Sequence, residues 1–267
     1  MYSISRWGGR FGNNIQQISN AIFFCEKNKL NFKSPPNDLI NSFSLNYGSL
    51  DCPPKIFFFH VDSKLGNGNS DFLVDLNELR NKRRSICKNI IFNHLKINFD
   101  DIKKLDSDVA VIHIRSGDIF IRENYYCSVI SSYVQNPLSF YLEIIEKYNK
   151  VIVLTEDYNN PVVSELSKLD KVDVRISEVQ TTIEVLLSSQ VIITSGVSSF
   201  SIACALLSQN IKKLYCSSLY LDEVLNYNEF RDDEVEVIIK NIDQDRYIKY
   251  DNWLNTKDQR KLMIDYK

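Results

Sequence analysis

The chain has 267 residues, of which 44% are hydrophobic and 25% charged, and its formal net charge is −2. That apolar fraction excludes wholesale disorder, and 32 basic against 34 acidic residues exclude the basic excess typical of a general nucleic-acid binder. No apolar run reaches the ~18 residues that span a membrane, and the first residues lack the basic-then-apolar order of a signal peptide, so a soluble, cytoplasmic protein is expected.

Short β-branched or aromatic runs alternate with helical patterns, which predicts an α/β fold with mostly parallel sheets. A first strand is expected over residues 2–5. It runs into Gly8-Gly9-Arg10-Phe11-Gly12-Asn13-Asn14, which holds three of only eight glycines. A helix over 14–27 then places Ile15, Ile18, Ile22 and Cys25 on one face. The glycine loop has two readings. One is a tight turn capped by Asn13. The other is a set of backbone amides that approach an anionic ligand at a helix start, with Arg10 adding positive charge. It is not a Walker loop, because no Gly-Lys-Ser or Gly-Lys-Thr follows.

Residues 34–70 hold four of the six prolines, a strand candidate at 56–59 and the polar stretch GNGNS at 66–70. The alternation is cleaner after residue 105, so a boundary is placed there, giving domains 1–105 and 106–267. The next strand, 108–114, is almost wholly apolar, as in a buried parallel strand. Its alternation sets Val109, Val111, His113 and Arg115 on one face. Arg115 stands at the strand end before Ser116-Gly117-Asp118. A charge there needs a partner. Asp118 would make a structural ion pair, and a phosphate would be gripped bidentately. The segment 119–137 carries Tyr125, Tyr126 and Tyr133 with Arg122 and Glu123, either a sugar-facing surface or a plain loop.

A helix is expected over 137–148, opening on proline, and strands over 151–155 and 172–176. A helix over 181–189 precedes a strand over 191–194. That strand ends in Thr194-Ser195-Gly196, and Ser198 or Ser199 opens a helix to Leu207. An ordinary serine N-cap and an anion cradle both fit this start. A strand over 213–215 follows, and the polar tail after Asp243 is expected to pack as a helix on the first half. Ligands of open α/β sheets bind beyond the strands' carboxyl ends. The three loops together offer amides, hydroxyls, two arginines and a carboxylate, which suits a nucleotide diphosphate.

Other chemistries find less support. The six cysteines are nowhere closer than twelve residues, so no CxxC pattern exists. Cys25 and Cys204 lie in apolar helical runs and read as reduced structural thiols. His60, His94 and His113 show no metalloprotease spacing. Asp106 and Asp108 precede a strand, Asp243 and Asp245 lie in the tail, and no metal site is predicted from them.

GRFGNN at 9–14, HIRSGD at 113–118, VIVLTED at 151–157 and SGVSSFS at 195–201 resemble, in order, motifs of the bacterial α-1,2-fucosyltransferases and the protein O-fucosyltransferases. The resemblance implies a GT-B fold of two facing Rossmann-like domains, with 1–105 on the acceptor side and 106–267 holding the donor. It implies GDP-fucose as donor, a glycan hydroxyl as acceptor, inverting single displacement and no required metal or other cofactor. Arg115 matches the arginine on the donor's β-phosphate. Arg10 and Asn13 match residues at the reaction centre, and Gly12 of that motif is counted with the donor-binding residues. Ser198, Ser199 and Phe200 match the segment that grips the nucleotide, and His113 the histidine beside it. Asp157 matches an acidic strand end. Ser116 departs from the second arginine of many α-1,2 and α-1,6 enzymes. The bases considered for the acceptor hydroxyl are Asp118, Glu156 and Asp157, and Asp118 is also placed to orient Arg115. No nucleic-acid partner is expected, and at most peripheral membrane contact through the mixed-charge C-terminus. Two alternatives remain at this level: a different sugar nucleotide as donor, or an inactive nucleotide- or carbohydrate-binding protein on the same fold.

Overall fold

The computed structural model describes residues 1–48, 76–124, 132–219, 229–230, 235–249 and 251–267. The strand expected at 56–59, and Tyr125, Tyr126, Cys52 and Cys127, lie outside these residues. The chain opens with β1 (Tyr2–Ser3) and α1 (Phe11–Lys27). β2 (Phe32–Ser34) pairs parallel with β1, and β3 (Phe43–Leu45) pairs antiparallel with β2. α2 (Leu76–Asn89) follows.

The main sheet is built from β4 (Val109–Ile114), β5 (Lys150–Thr155), β6 (Val172–Ile176), β7 (Val191–Ile193), β8 (Lys213–Ser217) and β9 (Glu236–Lys240). Every pairing is parallel, in the order β6-β5-β4-β7-β8-β9. Parallel neighbours need crossover connections, and a helix lies between each pair of successive strands from β4 to β8. These are α3 (Leu138–Ile145), α4 (Pro161–Leu166), α5 (Val179–Ser188) and α6 (Ser199–Leu207), with α7 (Lys257–Asp265) near the C-terminus. This is the α/β class predicted from the sequence, with the strand order of doubly wound, Rossmann-like sheets.

Alternation along β4 divides the core in two. Val111 joins one cluster with Ile152 and Ile192 from the neighbouring strands, the inner faces of α5 and α6, and the fully buried Ile15, Ile18 and Ile22 of α1. Ala110, Ile112 and Ile114 join the other, with Phe140, Ile144 and Val162 of α3 and α4. Each of the buried Val, Ile and Phe side chains among these contributes about 1.5–3 kcal/mol of transfer free energy. The first cluster is continuous across residue 105, because α1 packs directly on α6.

α2 is polar enough to escape a search for apolar periodicity, yet it sits under this core. Arg84 lays its guanidinium over the end of α6 and donates to the carbonyls of Ala205, Leu206 (3.2 Å) and Ser208 (3.0 Å). The last carbonyls of a helix have no partner within it, so a side chain from another helix closes this end. The adjacent Arg83 is buried against Glu229 and donates to Asn20 Oδ1 of α1 at 2.8 Å.

The tail helix differs from expectation. α7 packs on α3 and α4 of the second half, not on the first half. Its apolar side chains decide this, since Met263 is fully buried in the second cluster and Leu262 and Ile264 pack against it. Trp253 Nε1 donates to the Ile119 carbonyl at 3.0 Å, and Arg260 Nη2 to that of Phe120 at 3.0 Å. Cys25, Cys87, Cys204 and Cys216 are free and buried, and burial pushes their thiols up, to about 12 for Cys25, Cys87 and Cys216. Among the described residues no helix is long and apolar enough to cross a membrane.

Candidate functional site

The strand order reverses direction between β4 and β7, which opens a crevice at their carboxyl ends. A cleft of about 720 Å³ lies there, within the ~300–1,000 Å³ common for small-molecule sites. One wall comes from the loop and first turn of α1 and from Asn37, Asp38 and Leu39 between β2 and β3. The other comes from the ends of β4, β5 and β6 and from the start of α6.

Two helix N-termini meet in this cleft. The N-cap of α1 is Arg10, with no side-chain cap, while Ser198 caps α6 and accepts from the Phe200 amide at 3.5 Å. Asn13 is therefore not the cap that a bare turn predicts. It lies inside α1, and its Oδ1 accepts from Ser199 Oγ at 3.0 Å, joining the two helix starts. Gly12 makes the approach possible: a Cβ there would lie 2.5 Å from Ser199 Oγ and 2.7 Å from the Ser199 carbonyl atoms. The loop before α1 is held from inside the helix. Gln17 accepts from the Gly8 amide at 3.1 Å and donates to Arg6 O at 2.9 Å, and Asn14 donates to Gly8 O at 3.0 Å. First-turn amides carry partial positive charge and no intrahelical partner.

Arg115 follows β4 with its side chain 16% exposed. Its guanidinium lies 4.4 Å from the ring centre of Tyr133, and Nη2 donates to Asp118 at 3.1 and 3.3 Å. Arg10 reaches across from the other wall to Asp118 at 3.4 Å and Glu156 at 3.3 Å. His113 is buried, stacks on Phe200 at 4.7 Å, and Phe200 packs on Phe11 at 5.6 Å. Desolvation first, then the nearby Arg115 charge, lowers the His113 imidazole to about 3 and keeps it neutral. Its Nδ1 and the Arg115 Nε are buried without a hydrogen-bond partner among the described residues.

Behind this wall a polar bracket fixes the turn after β4. Ser116 is fully buried, and its Oγ donates to Asp157 Oδ1. The Asn160 amide donates to Ser116 Oγ at 3.0 Å, and its side chain donates to Arg115 O at 3.1 Å while capping α4 through Val162 N at 3.0 Å. Asp157 also accepts from Asn159 N and Nδ2, each at 2.8 Å. Desolvation raises the Asp157 carboxyl, but hydrogen bonds from Ser116, Asn159 and Gly117 outweigh it and hold the group below 3.8. Gly117 takes a positive φ of +59°, and a Cβ there would meet Glu156 Oε2 at 2.0 Å.

The cleft is lined by Arg10, Gly12, Asn13, His113, Arg115, Asp118, Ser198, Ser199 and Phe200, all singled out from sequence. Asp157 is not among the lining residues; its carboxylate braces the loop instead. Sequence reasoning gave no role to Asn160, whose bracing follows only from the parallel pairing of β4 and β5. Tyr133 was one of several loop aromatics, and only its position over Arg115 sets it apart. Ser177, Val179 and Thr182 reach the cleft from the β6–α5 corner and carried no motif. Among the described residues no group of three His, Cys, Asp or Glu is arranged to hold a metal ion. No protein-family model matches the chain, and neither a curated protein nor a solved structure does.

Proposed function

We propose that this cleft binds a sugar nucleotide and that the chain is an inverting glycosyltransferase, carrying fucose from GDP-fucose to a glycan hydroxyl. The observation that supports it is the convergence of two helix N-termini and two arginines from opposite walls in one cleft. Such donors favour a bound diphosphate. The sequence motifs that resemble fucosyltransferases supply these same residues. In this reading the chain is of GT-B type, with 1–105 the acceptor-side domain and 106–267 the donor domain.

Arg115 and the first amides of α6 take the diphosphate. Negative charge grows on that group as the bond from the sugar C1 to phosphate oxygen breaks, so donors already in position lower the barrier. The stacked pair His113 and Phe200 offers an apolar, neutral wall to the rest of the nucleotide. Arg10 and Asn13 stand opposite, where the sugar and the incoming hydroxyl meet. Arg10 and Arg115 supply the positive charge that a metal supplies in other diphosphate sites.

A panel of sugar nucleotides tests the reading by binding and by nucleotide release with glycan acceptors present. Release of GDP from GDP-fucose supports it. Release of a different nucleotide replaces the donor. Binding without release across a broad acceptor panel makes the chain a binding protein and removes the enzymatic reading.

A further inference from the structure

Three carboxylates stand at the ends of β4 and β5, and their surroundings differ. Asp157 accepts from Ser116 Oγ and from Asn159 twice, outside the cleft lining. Asp118 lines the cleft, but guanidinium groups occupy both of its oxygens: Arg115 holds Oδ1, and Arg115 and Arg10 share Oδ2. Glu156 lines the cleft with its side chain 47% exposed. Its Oε1 accepts from Arg10 Nη1 at 3.3 Å, and its Oε2 has no hydrogen-bond partner among the described residues. Gly117 gives that oxygen its room, because any Cβ at 117 would fall 2.0 Å from Oε2.

We propose that Glu156 is the general base of the transfer, a catalytic residue that takes the acceptor's proton on Oε2. The proposal rests on the glycosyltransferase reading. In the step, the acceptor oxygen forms a bond to the sugar C1 as its hydroxyl proton passes to Glu156 Oε2. The bond from C1 to the phosphate oxygen breaks, and its electron pair leaves with the nucleoside diphosphate. The Arg10 contact to Oε1 fixes the carboxylate plane and leaves Oε2 turned to the substrate. A general base must first lie within reach of the proton; Asp38 also lines the cleft, from the β2–β3 loop, and of the three carboxylates at the ends of β4 and β5 Glu156 alone offers an unoccupied oxygen at the cleft wall.

The test uses the full chain, GDP-fucose and the Glu156→Gln variant, which keeps an oxygen to accept from Arg10. Where the panel shows a different sugar nucleotide to be turned over, that donor replaces GDP-fucose. Nucleotide release is read with water as acceptor and with azide, which carries no proton to lose. Release to water is expected to fall about 100-fold or more. Formation of the glycosyl azide is expected to stay near the wild-type rate, and GDP affinity to stay unchanged. Equal losses with water and azide overturn the assignment, since Glu156 would then act through position or charge alone. An unchanged rate with water also overturns it, while leaving the glycosyltransferase reading standing. A wild-type chain that turns over no sugar nucleotide removes that reading and the general base with it.

Discussion

Gly12→Ala probes the junction on which the site depends. The added Cβ would lie 2.7 Å from both the carbonyl carbon and oxygen of Ser199. Ordinary carbon contacts sit near 3.5 Å, so the two helix starts must part by about 0.8 Å. Overpacking of this kind costs about 1–3 kcal/mol. Alanine is the better helix former by about 1 kcal/mol, so a net loss of up to about 2 kcal/mol is expected. Gly12 has no positive φ, so the backbone itself is not strained by the change. The same displacement pulls Ser199 from Asn13 and shifts the α6 amides against Arg115. A misplacement near 1 Å can reduce turnover about a hundredfold. Urea denaturation reads the first effect, and GDP titration with donor turnover reads the second. A variant as stable as wild type, with unchanged GDP affinity and rate, would refute the claim that this close approach builds the site.

Other outcomes follow from the same geometry. Arg84→Ala leaves carbonyls at the end of α6 buried without their donor, and a loss of about 3 kcal/mol or more is expected by chemical denaturation. A change under half that size would mean that other groups close this helix end. Asp118→Asn removes the carboxylate that competes with an anionic ligand for both arginines, so GDP affinity is expected to rise about two- to fivefold. Weaker GDP binding in that variant would show that Asp118 organises the arginines more than it competes. His113 titrates near 3 when folded and 6.5 when unfolded, so the unfolded state gains its proton first as pH falls. Its contribution is nil above pH 6.5, and stability declines below it by up to about 1.4 kcal/mol per pH unit. Replacing His113 with Phe should flatten that part of the stability profile; an unchanged profile would mean the imidazole is not held neutral.

Much of the main sheet is legible in the sequence because parallel strands buried on both faces leave continuous β-branched runs. The run from Val109 to Ile114 is one, and those at β5 and β7 are others, whereas β6 interleaves Asp173 and Arg175 with its apolar residues and β8 offers only Leu214-Tyr215-Cys216. β2 and β3 are three residues each and leave no period to detect. β9 stands at the sheet edge with half-buried residues, and its charged flanks hide it. α2 carries its core-facing stripe partly on Arg83 and Arg84, which composition reads as solvent-facing until their partners are known. The glycines marked the site well, because Gly12 and Gly117 sit where another chain segment closes in. The carboxylates were not separable from sequence. Adjacent in the chain, Glu156 and Asp157 part ways through Asn159 in their own loop and through Ser116 and Arg10, which reach them from two other loops.

The central claim is that a nucleoside diphosphate sits between Arg115 and the start of α6. A crystal structure of the chain soaked with GDP measures this directly. The account predicts the diphosphate within hydrogen-bond distance of the Arg115 guanidinium and the amides of Ser199 and Phe200, with the base against His113 and Phe200. GDP bound elsewhere, or a cleft that stays empty at saturating GDP, would contradict it.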